Sequence, residues 1–116
     1  MNHSLVYLSI PYSGQEELSF HVSCTVASNL MLQGMCVFSP IIHSHALVCE
    51  DKTLPKNDHD FWLKQDLTIL EKCDILAVVT LHGWEESRGV QEEIAFANEN
   101  FIPIIYLHPT IKSVGN

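Results

Sequence analysis

Residues 61–81, FWLKQDLTILEKCDILAVVTL, decide the fold. In the first half, Trp62, Asp66, Ile69 and Cys73 fall within one narrow sector at 3.6 residues per turn, the sector of a helix that must face a core. The second half, DILAVVTL at 74–81, is a continuous apolar run, as a strand covered on both faces requires. A helix running into such a strand is half of a β-α-β unit, and the same pattern extends both ways. Upstream, LVYLSI at 5–10 reads as a first buried strand closed by Pro11-Tyr12-Ser13-Gly14. A helix follows over residues 16–33 with Gly34 as its stop, and MCVFS at 35–39 is a second strand ended by Pro40. Residues 41–57 read as a long polar loop with at most one helical turn around 44–49. Asn57 or Asp58 then caps the helix that runs to residue 72. Downstream, HGWEES leads into a helix over 89–98, and IPIIYL at 102–107 is the fourth strand.

Apolar strands alternating with helices predict an α/β three-layer sandwich around a four-stranded parallel sheet, flavodoxin/Rossmann-like. Right-handed crossovers give the order 2-1-3-4. We find no repeat, low-complexity segment or linker, so residues 1–116 are expected to form one domain. Ligands of such sheets bind outside the carboxyl ends of the strands, here between the first and third. The polar segments 11–14, 39–45 and 82–87 collect there. The first helix carries two apolar rows: Leu18, Val22, Val26 and Leu30, then Phe20, Cys24, Ala27 and Met31. One row can pack on the sheet. The other predicts a homo-oligomer, a dimer or higher, although a helix buried within one monomer has the same pattern.

The balance of 6 basic to 14 acidic residues gives a formal charge of −8, which repels nucleic acid. A small anionic ligand remains compatible, because backbone amides at a helix N-terminus can hold it without lysines. No transmembrane span or signal peptide is visible. Cys24, Cys36, Cys49 and Cys73 show no CxxC spacing and sit mostly in apolar segments. They read as reduced core thiols of a cytoplasmic protein.

The residues that bear chemistry are two carboxylates. Asp66 sits mid-stripe beside Trp62, where desolvation raises its pKa, as suits a general acid. Glu93 lies at the edge of the stripe Val90, Ile94, Ala97 and Phe101, roughly 60° off it. Near the positive end of the helix dipole it should stay ionised, as suits a nucleophile. An acidic residue in a first helical turn is also a common surface feature, and a buried Asp can simply bond loop amides. His43-Ser44-His45, with Asp58-His59, permits a metal reading, but such histidines more often donate hydrogen bonds. Tyr7, Tyr12, Trp62 and Trp84 can stack on a planar ring or serve as core and rim aromatics. Gly83, Ser87 and Gly89 flank a helix start that could cradle a phosphate or simply be capped by Ser87 or Gly89. Arg88, the sole arginine, reads as a solvated charge.

Three segments carry a resemblance: YLSIPYSG; then D-L-x-x-L-x-x-C-D-I-L-A-V-V from Asp66; then SRGVQEEIAFA from Ser87. Together they resemble the nucleoside 2-deoxyribosyltransferase superfamily, including its 2′-deoxynucleoside 5′-monophosphate N-glycosidases, over residues 5–107. FSPIIHSH with GWEESRGVQEE looks most like a short branch of it. The resemblance implies a retaining double displacement at the anomeric carbon, with no cofactor or metal. It makes Glu93 the nucleophile, Asp66 the acid that assists departure of the base, and Tyr7 an active-site tyrosine. Ser87 stands where the transferases carry an Asp and the monophosphate hydrolases a Ser, which tilts the substrate towards a nucleotide. Ile10, Pro11, Ser13, His43, His45, Trp62, Gly83, Trp84, Ser87 and Gly89 are then the expected substrate contacts. The expected partner is a small nucleoside or nucleotide, with no nucleic acid or membrane. The chain departs from the family pattern in its IPYSG loop, in the His43, His45 and Asp58-His59 segment, and in ending soon after the fourth strand. Two rivals follow from the residues: a non-catalytic nucleotide-binding or sensing domain, and a metal-dependent hydrolase using His43, His45 and His59.

Overall fold

The computed structural model describes residues 4–109. Four parallel strands, β1 (Leu5–Ser9), β2 (Cys36–Phe38), β3 (Ile75–Val79) and β4 (Ile104–Leu107), lie in the order β2-β1-β3-β4. This is the predicted sheet, in the predicted order. Side chains alternate across it. Val6, Leu8, Ile10, Ala77 and Val79 meet Val22, Val26, Ala27 and Leu30 of α1 (Glu16–Leu32) on one face. Tyr7, Leu76 and Val78 meet Leu70 of α3 (His59–Leu70) and Val90 and Ala97 of α4 (Arg88–Glu99) on the other. Full burial of each such aliphatic side chain contributes about 1.5–3 kcal/mol.

Much of the stretch 41–57, expected as a long loop with at most one helical turn, instead belongs to the helix α2 (Pro40–Glu50). Ser39 is its N-cap, accepting the Ile42 amide at 3.2 Å. Pro40 occupies the first turn, where a missing N–H loses nothing. The proline ends the strand and starts a helix at once. Ile41 and Ile42 then pack against the α1 face of the core. The connecting loop shrinks to residues 51–58.

Three packing expectations are corrected. Phe101 is not part of the α4 stripe: it is 92% exposed with φ of 58°. It ends the helix in the left-handed conformation, so the Ile102 amide reaches the Ala97 carbonyl at 2.9 Å and Ile102 is buried instead. On α1, Leu18 and Met31 of the two expected rows are exposed, and the small Ser19 and Ser23 turn inward, letting the helix approach the sheet. Of the cysteines, Cys73 is buried, but Cys36 and Cys49 are exposed because they lie on the edge strand and on the outer side of α2. No helix among the described residues is long and apolar enough to cross a membrane.

Candidate active site

A cavity of about 740 Å³ opens at the carboxyl ends of β1 and β3. Its walls come from the β1–α1 loop, the inner side of α2, the first half of α3, and the β3–α4 loop with the start of α4. Gly83 turns the β3–α4 loop with φ of 89°, a conformation that favours glycine. Gln15 Nε2 donates to the His82 carbonyl at 2.7 Å and so ties the two loops together across the sheet end.

Glu93 is buried at the floor of this cavity, 7% exposed. Val90, Glu93 and Ala97 are the buried positions of α4, so the carboxylate sits within the buried face and not at its edge. Both oxygens are gripped by hydroxyls of β1. Tyr7 Oη donates to Oε2 and Ser9 Oγ donates to Oε1, the latter at 2.5 Å. Burial pushes Glu93 up to about 7, against the pull of the Ser9 and Tyr7 bonds and with a further push from the Asp66 and Glu92 charges. The expectation that the helix dipole keeps Glu93 ionised is therefore corrected. The helix begins at Arg88, so Glu93 lies beyond the first turn, where the dipole has faded and desolvation dominates.

Asp66 lines the same cavity from α3. Burial raises it to about 6, partly offset by His59. The two carboxyls thus titrate close together and near neutrality, and their protons are best treated as those of a pair. Tyr7 stays a phenol. Burial first, then the Glu93 and Asp66 charges, hold its pKa well above the ordinary 10.0.

Ile10, Pro11, Ser13, Trp62, Gly83, Ser87 and Gly89 also line the cavity. Ser87 is the N-cap of α4, accepting the Val90 amide at 3.3 Å, and its hydroxyl proton remains available as a donor. Tyr7 lies behind Glu93 and touches the cavity through it. Three expected contacts lie elsewhere. Trp84 packs on Tyr106 with ring centroids 5.5 Å apart. His43 is exposed, 5.8 Å from the Phe38 ring. His45 is buried behind the cavity wall, with Tyr12 on Nδ1 at 2.7 Å, Glu17 near Nε2 at 3.3 Å and Phe20 stacked at 4.5 Å. His59 pairs with Glu92 at 3.0 Å, and Asp58 caps α3. The histidines of the metal reading therefore do not converge. Among the described residues no group of three or more His, Cys, Asp or Glu side chains could hold a metal ion.

Sequence reasoning missed Ser9 and the rim network. A polar side chain two residues after Tyr7, in a strand buried on both faces, was the available signal for Ser9. At the rim, Arg88 Nε donates to Glu92 at 2.7 Å and its Nη2 lies 3.7 Å from Asp60, linking α4 to α3. The i,i+4 spacing of Arg88 and Glu92 was legible. The cross-helix link was not.

Residues 4–108 match the family described as "Domain of unknown function (DUF1937)". No curated protein matches. Among solved structures, a 2-deoxyribosyltransferase from the psychrotolerant bacterium Bacillus psychrosaccharolyticus, described as a biocatalyst for nucleoside synthesis, superposes with a TM-score of 0.61. It is 23% identical, and the match covers 97% of this chain and 77% of that one. At this identity the likeness is one of fold, the parallel α/β fold of a nucleoside deoxyribosyltransferase.

Proposed function

Starting from a chain that belongs to the DUF1937 family and folds like a deoxyribosyltransferase, we propose that it cleaves the N-glycosidic bond of a nucleoside or nucleoside 5′-monophosphate by a retaining double displacement. The carrying observation is that Asp66 and Glu93 line one cavity at the strand ends, with Glu93 held by Tyr7 and Ser9. A Glu93 oxygen attacks the anomeric carbon and forms a C–O ester bond. The C–N bond breaks, its electron pair goes to the base nitrogen, and the Asp66 proton neutralises the departing base. Water, or a second base, then attacks the same carbon. The ester electron pair returns to Glu93 and the incoming proton goes to Asp66. The transition state resembles an oxocarbenium ion, which a carboxylate against the sugar stabilises.

The two carboxyls must hold one proton between them when the reaction starts, and it must be on Asp66. Asp66, raised to about 6, and Glu93, raised to about 7, compete for that proton as a coupled pair. Positive charge developing on the sugar beside Glu93 favours the ionised form there and moves the balance the productive way.

Ser87, at the N-terminus of α4, is the residue that would hold a 5′-phosphate. We take residues 1–116 as one such domain acting as a homo-oligomer on a small-molecule substrate. Incubation with a panel of ribo- and deoxy-nucleosides and nucleotides should release free base, and Glu93→Ala should abolish release. The raised Glu93 also favours a second reading, a nucleotide-binding domain without turnover. Ligand binding that leaves the glycosidic bond intact and is unchanged in Glu93→Ala would establish that reading in place of the first.

A further inference from the structure

We propose that Ser9 is a positioning residue for Glu93: its hydroxyl holds Oε1 while the Tyr7 hydroxyl holds Oε2, so the plane of the carboxylate is fixed at both ends. The reaction this serves rests on the function proposed above; the clamp itself does not. Ser9 is 1% exposed and ends β1, on the same face of the strand as Tyr7. A buried hydroxyl needs a partner, and its Oγ donates to Glu93 Oε1 at 2.5 Å. The terminal torsion of a glutamate is broad and two-fold, so one hydrogen bond leaves the plane free to swing about that contact. Two donors on the two oxygens remove that freedom. Each carboxylate oxygen has two acceptor sites, so one hydroxyl apiece leaves a lone pair on each for attack.

The charges around Glu93 sharpen the argument. Asp66 faces it from α3, Glu92 adjoins it on α4, and both disfavour its ionised form. His59 is paired with Glu92 at 3.0 Å. Tyr7 and Ser9 of β1 are the groups whose contacts favour the ionised form. Ser9 therefore supports both the orientation and the charge of the carboxylate.

The test is a titration of protein labelled with carboxyl-¹³C glutamate, in which the Glu93 signal is the one missing from Glu93→Gln. Ser9→Ala should raise the Glu93 midpoint by about one pH unit, as loss of a hydrogen bond to a charged group implies. Ser9→Thr keeps the hydroxyl and should keep the wild-type midpoint. If Ser9→Ala fails to fold by circular dichroism, Ser9→Cys, a weaker donor of similar size, should raise the midpoint by a smaller amount. In turnover, Ser9→Ala should lower kcat about tenfold near pH 6.5, with KM nearly unchanged. An unmoved midpoint in a folded Ser9→Ala or Ser9→Cys, or an equal rise in Ser9→Thr, overturns the proposal. A rise in Ser9→Ala without base release from any substrate would sink the proposed reaction and leave the clamp standing.

Discussion

Replacing Glu93 by Gln should stabilise the protein while removing its chemistry, and the gain should depend on pH. Glu93 is displaced from an ordinary 4.5 to about 7 by burial. Its folded-state pKa lies above the unfolded one, so between those values the folded state binds more protons. The stability it contributes is complete below about 4.5 and is lost as pH rises through about 7. At about 1.4 kcal/mol per pH unit, the loss is about 3 kcal/mol. Gln is uncharged throughout and escapes it. Its amide can still accept from one of the two β1 hydroxyls and donate to the other. Thermal unfolding followed by circular dichroism should therefore give similar Tm values for wild type and Glu93→Gln near pH 4.5. By pH 8 the variant should lead by roughly 10 °C, as about 3 kcal/mol implies for a domain of this size. Curves that stay parallel from pH 4.5 to 8 would refute the claim that Glu93 is a buried carboxyl held against its ionisation.

Other outcomes follow from the same geometry. With one shared proton required, kcat/KM should be bell-shaped with its maximum between about 6 and about 7, measured by base release across pH. Ser87→Ala should lose about 1 kcal/mol of cap in urea titrations and raise KM for a 5′-monophosphate more than for the matching nucleoside. Phe101→Gly should stabilise by up to about 1 kcal/mol in the same titrations, because an exposed phenylalanine holds a left-handed position that glycine adopts freely.

Much of the fold was legible because its signals are local. Apolar runs at residues 5–10 and 74–81 can be satisfied only by a sheet covered on both faces, and chirality then sets the strand order. Proline blurred the boundary of α2: Pro40 was read as a stop for β2, whereas Ser39 and Pro40 together begin a helix. That change also explains the histidines. In a helix, residues two apart point roughly 200° from one another, so His43 faces outward and His45 inward. An HxH pair able to chelate from a loop cannot do so from this helix. The pairing of Asp66 with Glu93 was visible as two carboxylates on helices flanking one strand. The upward shift of Glu93 was not, because it depends on depth of burial, and Glu93 is the more buried of the two. Phe101 looked like core by spacing alone. The helix ends before it, at Glu99 with Asn100 as its C-cap, and the stripe ends with it.

The central claim is that Glu93 carries the sugar as a covalent ester between two half-reactions. The most direct measurement is intact-protein mass spectrometry after rapid acid quench of a turning-over mixture, followed by peptide mapping. The account predicts a mass increase equal to one glycosyl group, localised to Glu93 and absent from Glu93→Gln. Base release at full rate with no such adduct, or with equal rate in Glu93→Gln, would contradict it.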